Sequence, residues 1–387
     1  MHQPAAKTYA LLAAEPSGDL QAAALVAHLR SLDPEAKFFG IGGRNLAAAG
    51  VELVSDTSLW GTIGPFEVFG KLPKIFRAYY GLRRELLRRR PDVTVMIDSP
   101  ALFMRLAKFT KAHELPSVYY FPPSAWSDSE KRAAAISARV DGVVCAFERQ
   151  YQTYQRAGVP AQYFGHPMVD VVVPRERSQA LAELGLSEGR YVSLMPGSRS
   201  GEVRIMTPIF LQAAAELKRR HPDLTFLLPA ASHALYDRLS KELEGTEVIL
   251  FNGRAQELLA VSEVAIMTSG SVSLEAALLD CPIVLGYRFN ALDAFLGRTL
   301  VKLGLLKVPY FSLPNLLLNE TVVEELFQEQ VTAENLVAQA ETLLQGGSQR
   351  ERMLTDLRRA REKLGRPPVC QRVAEFVYSV ACGGSRR

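Results

Sequence analysis

At residues 194–202 the chain reads Leu194–Met195–Pro196–Gly197–Ser198–Arg199–Ser200–Gly201–Glu202, a glycine-containing turn between a short apolar run and a helical pattern. A turn that joins a strand to a helix aims unpaired backbone N–H groups at an anion. Arg199 adds a planar, permanently charged guanidinium that suits phosphate oxygens. The stretch therefore predicts a phosphate-binding turn, with Ser198, Arg199 and Glu202 as candidate binding residues.

The same arrangement recurs later in the chain. A strand pattern at residues 264–267 is followed by a turn of small residues, with Ser269, Gly270 and Ser271, and then by a second helical pattern. Two such turns in one half of the chain predict a diphosphate between them. Glu275 lies one turn into the second helix, where a carboxylate can accept hydrogen bonds from ribose hydroxyls. Together the two turns favour a nucleotide ligand.

Length and composition predict a two-domain globular protein. The 387 residues are too many for one ordinary core, and 48% hydrophobic with 22% charged residues is typical of soluble domains. A net charge of +4 is too small to indicate a nucleic-acid partner. Neither a secretory signal nor a membrane-spanning segment is predicted. The cysteines lack close pairing and metal-ligand spacing, which favours buried reduced thiols in a cytoplasmic protein: Cys145, Cys281, Cys370 and Cys382. We expect no metal and no other cofactor.

Short apolar runs alternate with helical patterns along most of the chain. Such alternation predicts mostly parallel sheets covered by helices on both faces. Residues 171–189 interrupt the pattern with Pro174 and mixed charges, and after residue 317 the pattern is entirely helical, with helices near 321–329, 332–346, 348–364 and 369–380. We therefore predict an α/β chain of two Rossmann-like, doubly wound domains, at residues 1–170 and 171–365, with a C-terminal helix at 366–387.

Several polar residues of the first half fall at the carboxyl ends of predicted strands, where ligands bind in parallel sheets. They are Glu15, Ser17, Asp19, Gly42, Gly43, Asp98 and Ser124. Asp98 ends a β-branched strand, so partial desolvation could raise the pKa of its carboxyl and make it a general base. An N-cap for the next helix is the alternative, which Asp–Ser–Pro fits well. His166 either contacts a phosphate or sugar or braces the hinge.

Residues 66–90 combine aromatic and basic side chains. From Lys71 to Arg90 eight basic residues accompany a single acid, Glu85. A basic amphipathic helix can lie in the headgroup region of an anionic membrane. The alternative is a surface helix with its charges in solvent, and Pro73 and Gly81 interrupt the pattern. The dense interleaving of aromatic and basic residues favours membrane contact.

Ten short motifs, in order along the chain, resemble those of the lipid-A-disaccharide synthase family. They lie at Ala14–Asp19, Gly40–Gly43, Gly64–Val68, Pro91–Pro100, Pro123–Trp126, Phe147–Glu148, Gly165–Pro167, Pro196–Glu202, Ser269–Glu275 and Ser312–Leu317.

The resemblance implies an inverting GT-B glycosyltransferase, with its active site in a cleft between two Rossmann-like domains. The family's donor is UDP-2,3-diacylglucosamine, whose sugar moves to the 6-hydroxyl of 2,3-diacylglucosamine 1-phosphate. The products are the β-1,6-linked lipid A disaccharide 1-phosphate and UDP. The resemblance further implies work in lipid A biosynthesis, a cytoplasmic protein held peripherally at the inner membrane, and a C-terminal helix that returns to the first domain or is exchanged in a homodimer.

The family pattern also implies roles for individual residues. In the second domain Ser198, Arg199, Ser269, Gly270 and Ser271 would hold the diphosphate, with Glu275 at the ribose and Asn315 facing the donor. Asp98 would take the proton of the acceptor hydroxyl, and Arg199 with helix N-termini would neutralise the leaving UDP without a metal. The acceptor side would comprise Glu15, Ser17, Asp19, Gly42, Gly43, Glu67, Ser124 and His166.

The chain departs from the family pattern on the acceptor side. The family usually reads Asp-Ala-Pro-Asp-Phe-Asn where this chain has Asp98–Ser99–Pro100 followed by Ala101, Leu102 and Phe103, and Asp128 stands in place of a tryptophan. Three alternatives therefore stay open. They are a transferase with another acceptor, a nucleotide-sugar binding module without turnover, and a non-hydrolysing UDP-sugar 2-epimerase. The last needs several acids and a histidine around the donor's C2, which the sequence does not place.

Overall fold

The computed structural model describes residues 6–57, 67–122, 129–290 and 310–383. The chain forms two compact units: unit 1 comprises Met1–Val171 and Leu364–Arg387, and unit 2 comprises Val172–Lys363. Each unit contains one sheet whose paired strands are all parallel, with helices between consecutive strands. The prediction of two Rossmann-like α/β domains with a helical tail is confirmed.

Unit 1 is built on a seven-stranded parallel sheet with the strand order β3-β2-β1-β4-β5-β6-β7. All five residues of β4, Val-Thr-Val-Met-Ile, are buried, as expected of a strand covered on both faces. The strands are β1 (Thr8–Ala13), β2 (Lys37–Gly42), β3 (Glu52–Asp56), β4 (Val93–Ile97), β5 (Ser117–Tyr120), β6 (Gly142–Cys145) and β7 (Gln162–Tyr163).

Two helical layers cover this sheet. Successive side chains of β1 point to opposite faces, so Leu11 belongs to one buried cluster with Val373, and Leu12 to the other with Phe103. The helices of the continuous part of unit 1 are α1 (Pro16–Leu32), α2 (Arg44–Ala48), α3 (Glu67–Arg89), α4 (Pro100–Ala112), α5 (Glu130–Ser137), α6 (Glu148–Arg156) and α7 (Met168–Val171).

Unit 2 has a six-stranded parallel sheet with the order β10-β9-β8-β11-β12-β13. Its strands are β8 (Arg190–Met195), β9 (Leu224–Ala230), β10 (Val248–Asn252), β11 (Ser262–Met267), β12 (Ile283–Tyr287) and β13 (Glu325–Phe327). The helices are α8 (Arg177–Leu184), α9 (Ser200–Arg220), α10 (His233–Glu242), α11 (Ala255–Val261), α12 (Val272–Leu278), α13 (Leu313–Leu318), α14 (Ala333–Leu344) and α15 (Ser348–Glu362).

The C-terminal helix, α16 (Val369–Ala381), packs on unit 1 of its own chain. Its fully buried Val373 and Val377 join the core cluster that contains residues of β1 and β4. The approach to this helix is fixed by a backbone hydrogen bond of 2.7 Å from His166 N to the Leu364 carbonyl.

Both sheets have a switch point, where strand order reverses. It lies between β1 and β4 in unit 1 and between β8 and β11 in unit 2. Ligands of doubly wound sheets bind outside the carboxyl ends of the strands at such points. The residues that follow these four strands therefore occupy the positions where a ligand site is expected.

Two edge strands were not predicted from the sequence. β3 and β13 are short and each pairs with only one neighbour, β2 and β12. The prediction of a helix near residues 321–329 is wrong, because residues 325–327 form β13 and Gln328–Gln330 form a short 3₁₀ turn. A three-residue strand shows too little of the two-residue period to be recognised, and pairing with β12 stabilises it.

Candidate functional site

The two predicted phosphate turns lie next to each other at the switch point of unit 2. Met195, the last residue of β8, pairs in register with Met267, the last residue of β11. The backbone N–H of Thr268 donates to the Met195 carbonyl at 3.0 Å. The turns that contain Arg199 and Ser269 therefore begin side by side at one edge of one sheet.

The first turn depends on its glycine. Gly197 has a φ of +113°, and a Cβ at this position would lie 2.6 Å from Glu202 Oε2. Arg199 occupies the N-cap of α9, and its guanidinium Nη1 lies 3.2 Å from Glu202 Oε1. The Arg199 side chain remains 48% exposed, so its cationic face stays accessible to an anion.

Glu202 has a different place from the one predicted. Its carboxylate accepts hydrogen bonds from the Arg199 side chain and, at 3.0 Å, from the hydroxyl of Tyr287. A carboxylate so close to the turn would repel a phosphate rather than bind it. We therefore correct its assignment as a donor contact: Glu202 orients Arg199. Tyr287, which the sequence analysis missed, stands at the carboxyl end of a predicted strand, and that position was the available signal.

The second turn offers backbone donors. The Ser273 hydroxyl donates to the Gly270 carbonyl at 2.7 Å, and the Ser269 hydroxyl donates to the Phe311 carbonyl. Within the described part of the chain, the backbone N–H groups of Gly270, Ser271 and Val272 have no hydrogen-bond acceptor assigned. A Cβ on Gly270 would meet no heavy atom within 4 Å. The turn therefore leaves both space and donors for an anion.

Glu275 is held in an environment that disfavours its charge. Burial raises the pKa of its carboxyl to about 7, although a hydrogen bond with Gln256 lowers it in part, and nearby Glu257 raises it further. Glu257 is itself buried and paired with Arg175 at 3.1 Å and Arg254 at 3.2 Å. A carboxyl poised to titrate near neutral pH at a switch point is typical of a ligand-binding residue.

Asn315 does not face a ligand. Its side chain is fully buried, and its amide nitrogen donates to the Val323 carbonyl at 2.7 Å and to Glu325 at 2.9 Å. Its amide oxygen accepts from the backbone N–H groups of Val322 and Val323. All four hydrogen-bonding positions of the amide are used, so the donor-facing assignment is corrected: Asn315 holds the segment that leads into β13.

At the switch point of unit 1, Asp98 directly follows β4. Asp98 and Ser99 both have positive φ values, +54° and +47°. The hydroxyl of Tyr119 donates to the Asp98 carbonyl at 2.9 Å and fixes this turn. Ser99 rather than Asp98 occupies the N-cap of α4, and the Ser99 side chain makes no capping hydrogen bond. Asp98 is half-buried, so part of its surface is accessible to solvent.

Glu15 and Ser17 lie at the same edge. Glu15 is the half-buried N-cap residue of α1, directly beyond β1, and Ser17 is in the first turn. A Cβ on Gly18 would lie 3.4 Å from Ile97 Cγ2, so the start of α1 packs on the end of β4. The structure thus brings Glu15, Ser17 and Asp98 to one edge, as predicted for neighbouring strands.

Asp19 with Gly42 and Gly43 forms a structural joint rather than an acceptor site. The Asp19 carboxylate is 3% exposed and accepts backbone N–H groups of Gly43 at 2.6 Å, Asn45 at 2.9 Å and Leu46 at 3.2 Å. A Cβ on Gly42 or Gly43 would lie 2.9 or 3.0 Å from an Asp19 oxygen. The assignment of these three residues to the acceptor is corrected, because the carboxylate is consumed by the start of α2.

His166 braces the chain where the tail joins unit 1. Its ring is buried against Phe121 and Phe147, with centroid distances of 5.3 and 5.0 Å, and its Nδ1 accepts the Met168 N–H. Burial lowers the pKa of His166 to about 3, so the ring is neutral. Of the two roles left open, the structure favours the brace over contact with a phosphate or sugar.

Of the other acceptor-side positions, the structure describes some and not others. Ser124 and Asp128 lie outside the described residues, as does the side chain of Glu67. Phe103, which stands where the family has an amide, is fully buried in the core of unit 1, and Leu102 packs against the same cluster. Phe103 is therefore part of the packing of α4 on the core of unit 1.

Among the described residues, no group of three or more His, Cys, Asp or Glu side chains could hold a metal ion. Within the same ranges no helix combines the length and hydropathy needed to cross a bilayer.

A family model and curated relatives indicate one family, and solved structures show the same fold. The family model described as lipid-A-disaccharide synthetase matches residues 9–380. The lipid-A-disaccharide synthase of Myxococcus xanthus is 37% identical over 374 residues, and that of Geobacter sulfurreducens 35%, each alignment covering 96% of both chains. Among solved structures, the UDP-GlcNAc 2-epimerase of Neisseria meningitidis superposes with a TM-score of 0.62, covering 97% of this chain and all of that one, at 12% identity. At this identity the epimerase supports the fold alone.

Proposed function

The chain belongs to the lipid-A-disaccharide synthase family of glycosyltransferases, and from this membership we propose that it transfers 2,3-diacylglucosamine from UDP to 2,3-diacylglucosamine 1-phosphate. The products would be lipid A disaccharide 1-phosphate and UDP, with inversion at the anomeric carbon. The single observation that carries the donor half of this proposal is the pairing of Met195 with Met267, which brings the two anion-binding turns together.

Unit 2 holds the donor. Arg199 supplies a permanent positive charge to the diphosphate, and the N–H groups of Gly270 and Ser271 add donors at the second turn. Glu275 accepts hydrogen bonds from the ribose hydroxyls, for which its ionised form is the better acceptor. Ser198 and Ser269 line the two turns, and Glu202 keeps the Arg199 fork in place.

Unit 1 holds the acceptor and the base. Asp98 takes the proton of the attacking 6-hydroxyl, whose oxygen forms the new bond to the anomeric carbon while the bond from that carbon to UDP breaks. One in-line displacement inverts the configuration and needs no covalent intermediate. Arg199 and the backbone N–H groups neutralise the charge that develops on UDP, so we expect no metal requirement.

The experiment follows UDP release by the purified protein, given the acylated donor with and without the acylated sugar phosphate. Release that requires the acceptor supports the transferase. Asp98→Asn is expected to abolish release while UDP affinity stays near wild type, since Asp98 lies in the other unit from the nucleotide. Turnover by Asp98→Asn would remove Asp98 from the role of base.

Arg199→Ala tests the diphosphate assignment. We expect UDP binding to weaken by about 1.5–3 kcal/mol, the usual value of a hydrogen bond to a charged group. Arg204→Ala is the matched control, because Arg204 is exposed on the same helix beyond the turn. Equal effects of the two substitutions would contradict a phosphate contact at Arg199.

Departures from the family pattern on the acceptor side support a second candidate function. Ala101 and Asp128 differ from the family pattern, so a transferase with another acceptor or a nucleotide-sugar binding module would share the donor site. UDP binding without release under any acylated acceptor would favour the binding module. Release with a different acyl sugar would favour the altered transferase.

Peripheral membrane association is part of the proposal and rests on α3. Lys74, Arg77 and Arg84 line one groove of this helix and have no ion pair within the described residues, whereas Arg88 and Arg89 are paired with Glu85. The exposed rings of Phe76 and Tyr80 lie on the same helix. Basic and aromatic side chains together suit the headgroup region of anionic lipid.

Liposome flotation tests this part of the proposal. The wild type should float with phosphatidylglycerol-containing vesicles and not with phosphatidylcholine alone, and the Lys74→Gln, Arg77→Gln, Arg84→Gln triple variant should stay in the pellet fraction. The control removes Lys218, Arg219 and Arg220, three basic residues that already pair with acids in unit 2. Flotation of the α3 variant would refute membrane contact through this face.

A further inference from the structure

Four aromatic side chains in unit 2 form a connected group that none of the predicted roles uses. The ring centroids of Tyr287 and Phe289 lie 4.8 Å apart, those of Phe289 and Phe327 5.9 Å, and those of Phe327 and Phe311 5.4 Å. We name these four residues the aromatic cluster. Its contacts are tilted or edge-to-face, with interplanar angles of 67°, 79° and 48°.

The aromatic cluster lies at the ligand-binding edge of the sheet. Tyr287 and Phe327 are the last residues of β12 and β13 and pair in register. Phe289 is 41% exposed and Phe327 is 37% exposed, and among the described residues of unit 2 few other large apolar side chains are exposed. Neighbouring exposed apolar side chains beside a binding edge indicate an apolar ligand group.

Hydrogen bonds tie the aromatic cluster to both phosphate turns. The Tyr287 hydroxyl donates to Glu202, whose carboxylate also accepts from Arg199 of the first turn. At the other end, the Phe311 carbonyl accepts the hydroxyl of Ser269 in the second turn. The cluster is therefore held at a fixed distance from the place where a diphosphate would bind.

Glu325 makes this attachment rigid. Its carboxylate accepts the backbone N–H of Phe311 at 3.0 Å and that of Ser312 at 2.8 Å, and it also accepts the Asn315 amide. Because Glu325 belongs to β13, the position of Phe311 is set by the sheet rather than by its own loop. A rigid apolar surface loses little entropy when a flexible chain binds to it.

We propose that the aromatic cluster binds an acyl chain of the sugar donor, and so contributes to the selection of an acylated UDP-sugar. The inference rests on the proposed function, because it takes the donor's diphosphate to lie in the two turns. A sugar linked to that diphosphate lies within a few bonds of the turns, so an acyl chain on the sugar reaches the neighbouring rings. Because the rings are inclined to one another, they form an uneven apolar surface. A flexible acyl chain can follow such a surface, whereas a planar base would stack on only one ring.

The test measures affinity as a function of acyl length. Wild type and a Phe289→Ala, Phe327→Ala double variant are titrated with UDP, UDP-N-acetylglucosamine and a series of UDP-diacylglucosamines with short, monomeric chains. Each methylene that the wild type buries should tighten binding about threefold to fourfold. The double variant should lose most of this increase and bind the longest soluble donor at least about tenfold more weakly. Its UDP affinity should stay within about twofold of wild type.

Two further variants keep the test decisive. Ile249→Ala removes another exposed apolar side chain of unit 2, on the edge strand β10, and should leave all affinities unchanged. Phe289→Gln changes the most exposed ring while Phe327 stays in place, so it serves if the double variant folds poorly. It should flatten the chain-length dependence in the same direction.

Other outcomes would overturn the inference and are distinguishable. If the double variant keeps the full chain-length dependence, the acyl chain binds elsewhere. If UDP itself binds more weakly, the rings contact the base. If self-association disappears while donor affinities persist, the cluster is an interface between copies. Failure of the wild type to bind UDP would instead contradict the proposed function.

Discussion

At the scale of single residues, each switch point holds a residue in an unfavourable state, and the physical cause differs between the two units. Unit 1 stores backbone strain, because Asp98 and Ser99 both adopt the left-handed region that costs side-chain-bearing residues free energy. Unit 2 stores an electrostatic cost, because burial raises the pKa of Glu275 to about 7. The strain lies at or beside Asp98 and the raised pKa belongs to Glu275, two residues to which we assign chemistry. The contribution of each to the free energy of unfolding can be measured separately.

Ser99→Gly should be more stable than Ser99→Ala by about 1 kcal/mol, since glycine tolerates a positive φ and alanine does not. Both substitutions remove a buried hydroxyl that has no hydrogen-bond partner. The comparison therefore isolates the backbone strain. Urea unfolding of the two variants gives the difference, and equal free energies of unfolding would show that the turn is not strained.

Glu275→Gln should stabilise the protein at about pH 8 by about 1–3 kcal/mol and weaken UDP binding there. The folded state binds this proton more tightly than the unfolded state, whose carboxyl titrates near 4.5. Between about pH 4.5 and 7 the folded protein thus holds more protons, so stability falls as pH rises through that window. The gain from the substitution should therefore shrink toward about pH 5.

The control for this prediction is Glu244→Gln, which changes an exposed acid of the same unit. UDP affinity is compared between wild type and Glu275→Gln at about pH 6 and about pH 8, where titration of UDP itself affects both proteins equally. The ratio of affinities should be larger at the higher pH. A ratio that does not change with pH would separate Glu275 from nucleotide binding.

The sequence predicted where polar residues lie along the strands and helices, but it did not predict which groups they hydrogen-bond. Asp98, Asp19 and Asn315 are all polar residues of motifs near strand ends, yet Asp19 and Asn315 spend their hydrogen bonds on backbone groups of neighbouring segments. A carboxylate that binds a ligand and one that holds a loop have the same local sequence. Their difference depends on which N–H groups the fold brings within reach.

At the scale of elements, the segment after β7 packs closely against the segment before α16, and two glycines allow this contact. Gly165 has a φ of +108°. A Cβ added to Gly365 would lie only 3.0 Å from the Cα of Gly165. Arg372 donates to the Phe164 carbonyl beside them. Two backbone segments can approach this closely only without side chains.

Gly165→Ala should destabilise the protein by more than about 3 kcal/mol, because the new Cβ would stand 2.8 Å from the Leu364 carbonyl oxygen in addition to its unfavourable φ. Gly158→Ala is the matched control: it also has a positive φ, +66°, but its Cβ would meet open space. We expect it to cost about 1 kcal/mol. Equal losses in urea unfolding would show that the two segments can separate.

At the scale of the whole molecule, the two units differ in how they use the chain. Every residue of the two core clusters of unit 2 lies between 180 and 343 or at Leu357, so this unit is one continuous segment. Unit 1 is completed by α16, which returns after the whole of unit 2 and buries Val369, Val373 and Val377. Unit 1 therefore cannot close its core until residues 369–381 have been synthesised.

A fragment of residues 172–363 should fold alone and bind UDP within about threefold of the full chain. It contains all six strands of its sheet and both turns to which we assign the diphosphate. A chain that ends at residue 366 should instead aggregate, because loss of α16 exposes the apolar face of α1 and the central strands. Circular dichroism and UDP titration measure the first, and solubility with protease resistance measures the second. An unfolded 172–363 fragment would contradict the division.

Local pattern was sufficient for the alternation of strands and helices, the two doubly wound sheets, the position of the two strand-to-helix turns and the motifs that identify the family. These depend on side-chain period and turn composition, which neighbours in sequence carry. Tertiary structure decided the pairing of Met195 with Met267 and the formation of β3 and β13. It also decided that Asp19 and Asn315 hydrogen-bond neighbouring segments, and that four aromatic rings lie beside the turns. Those features join residues far apart along the chain, and their free energy exists only once the sheet has brought them into contact.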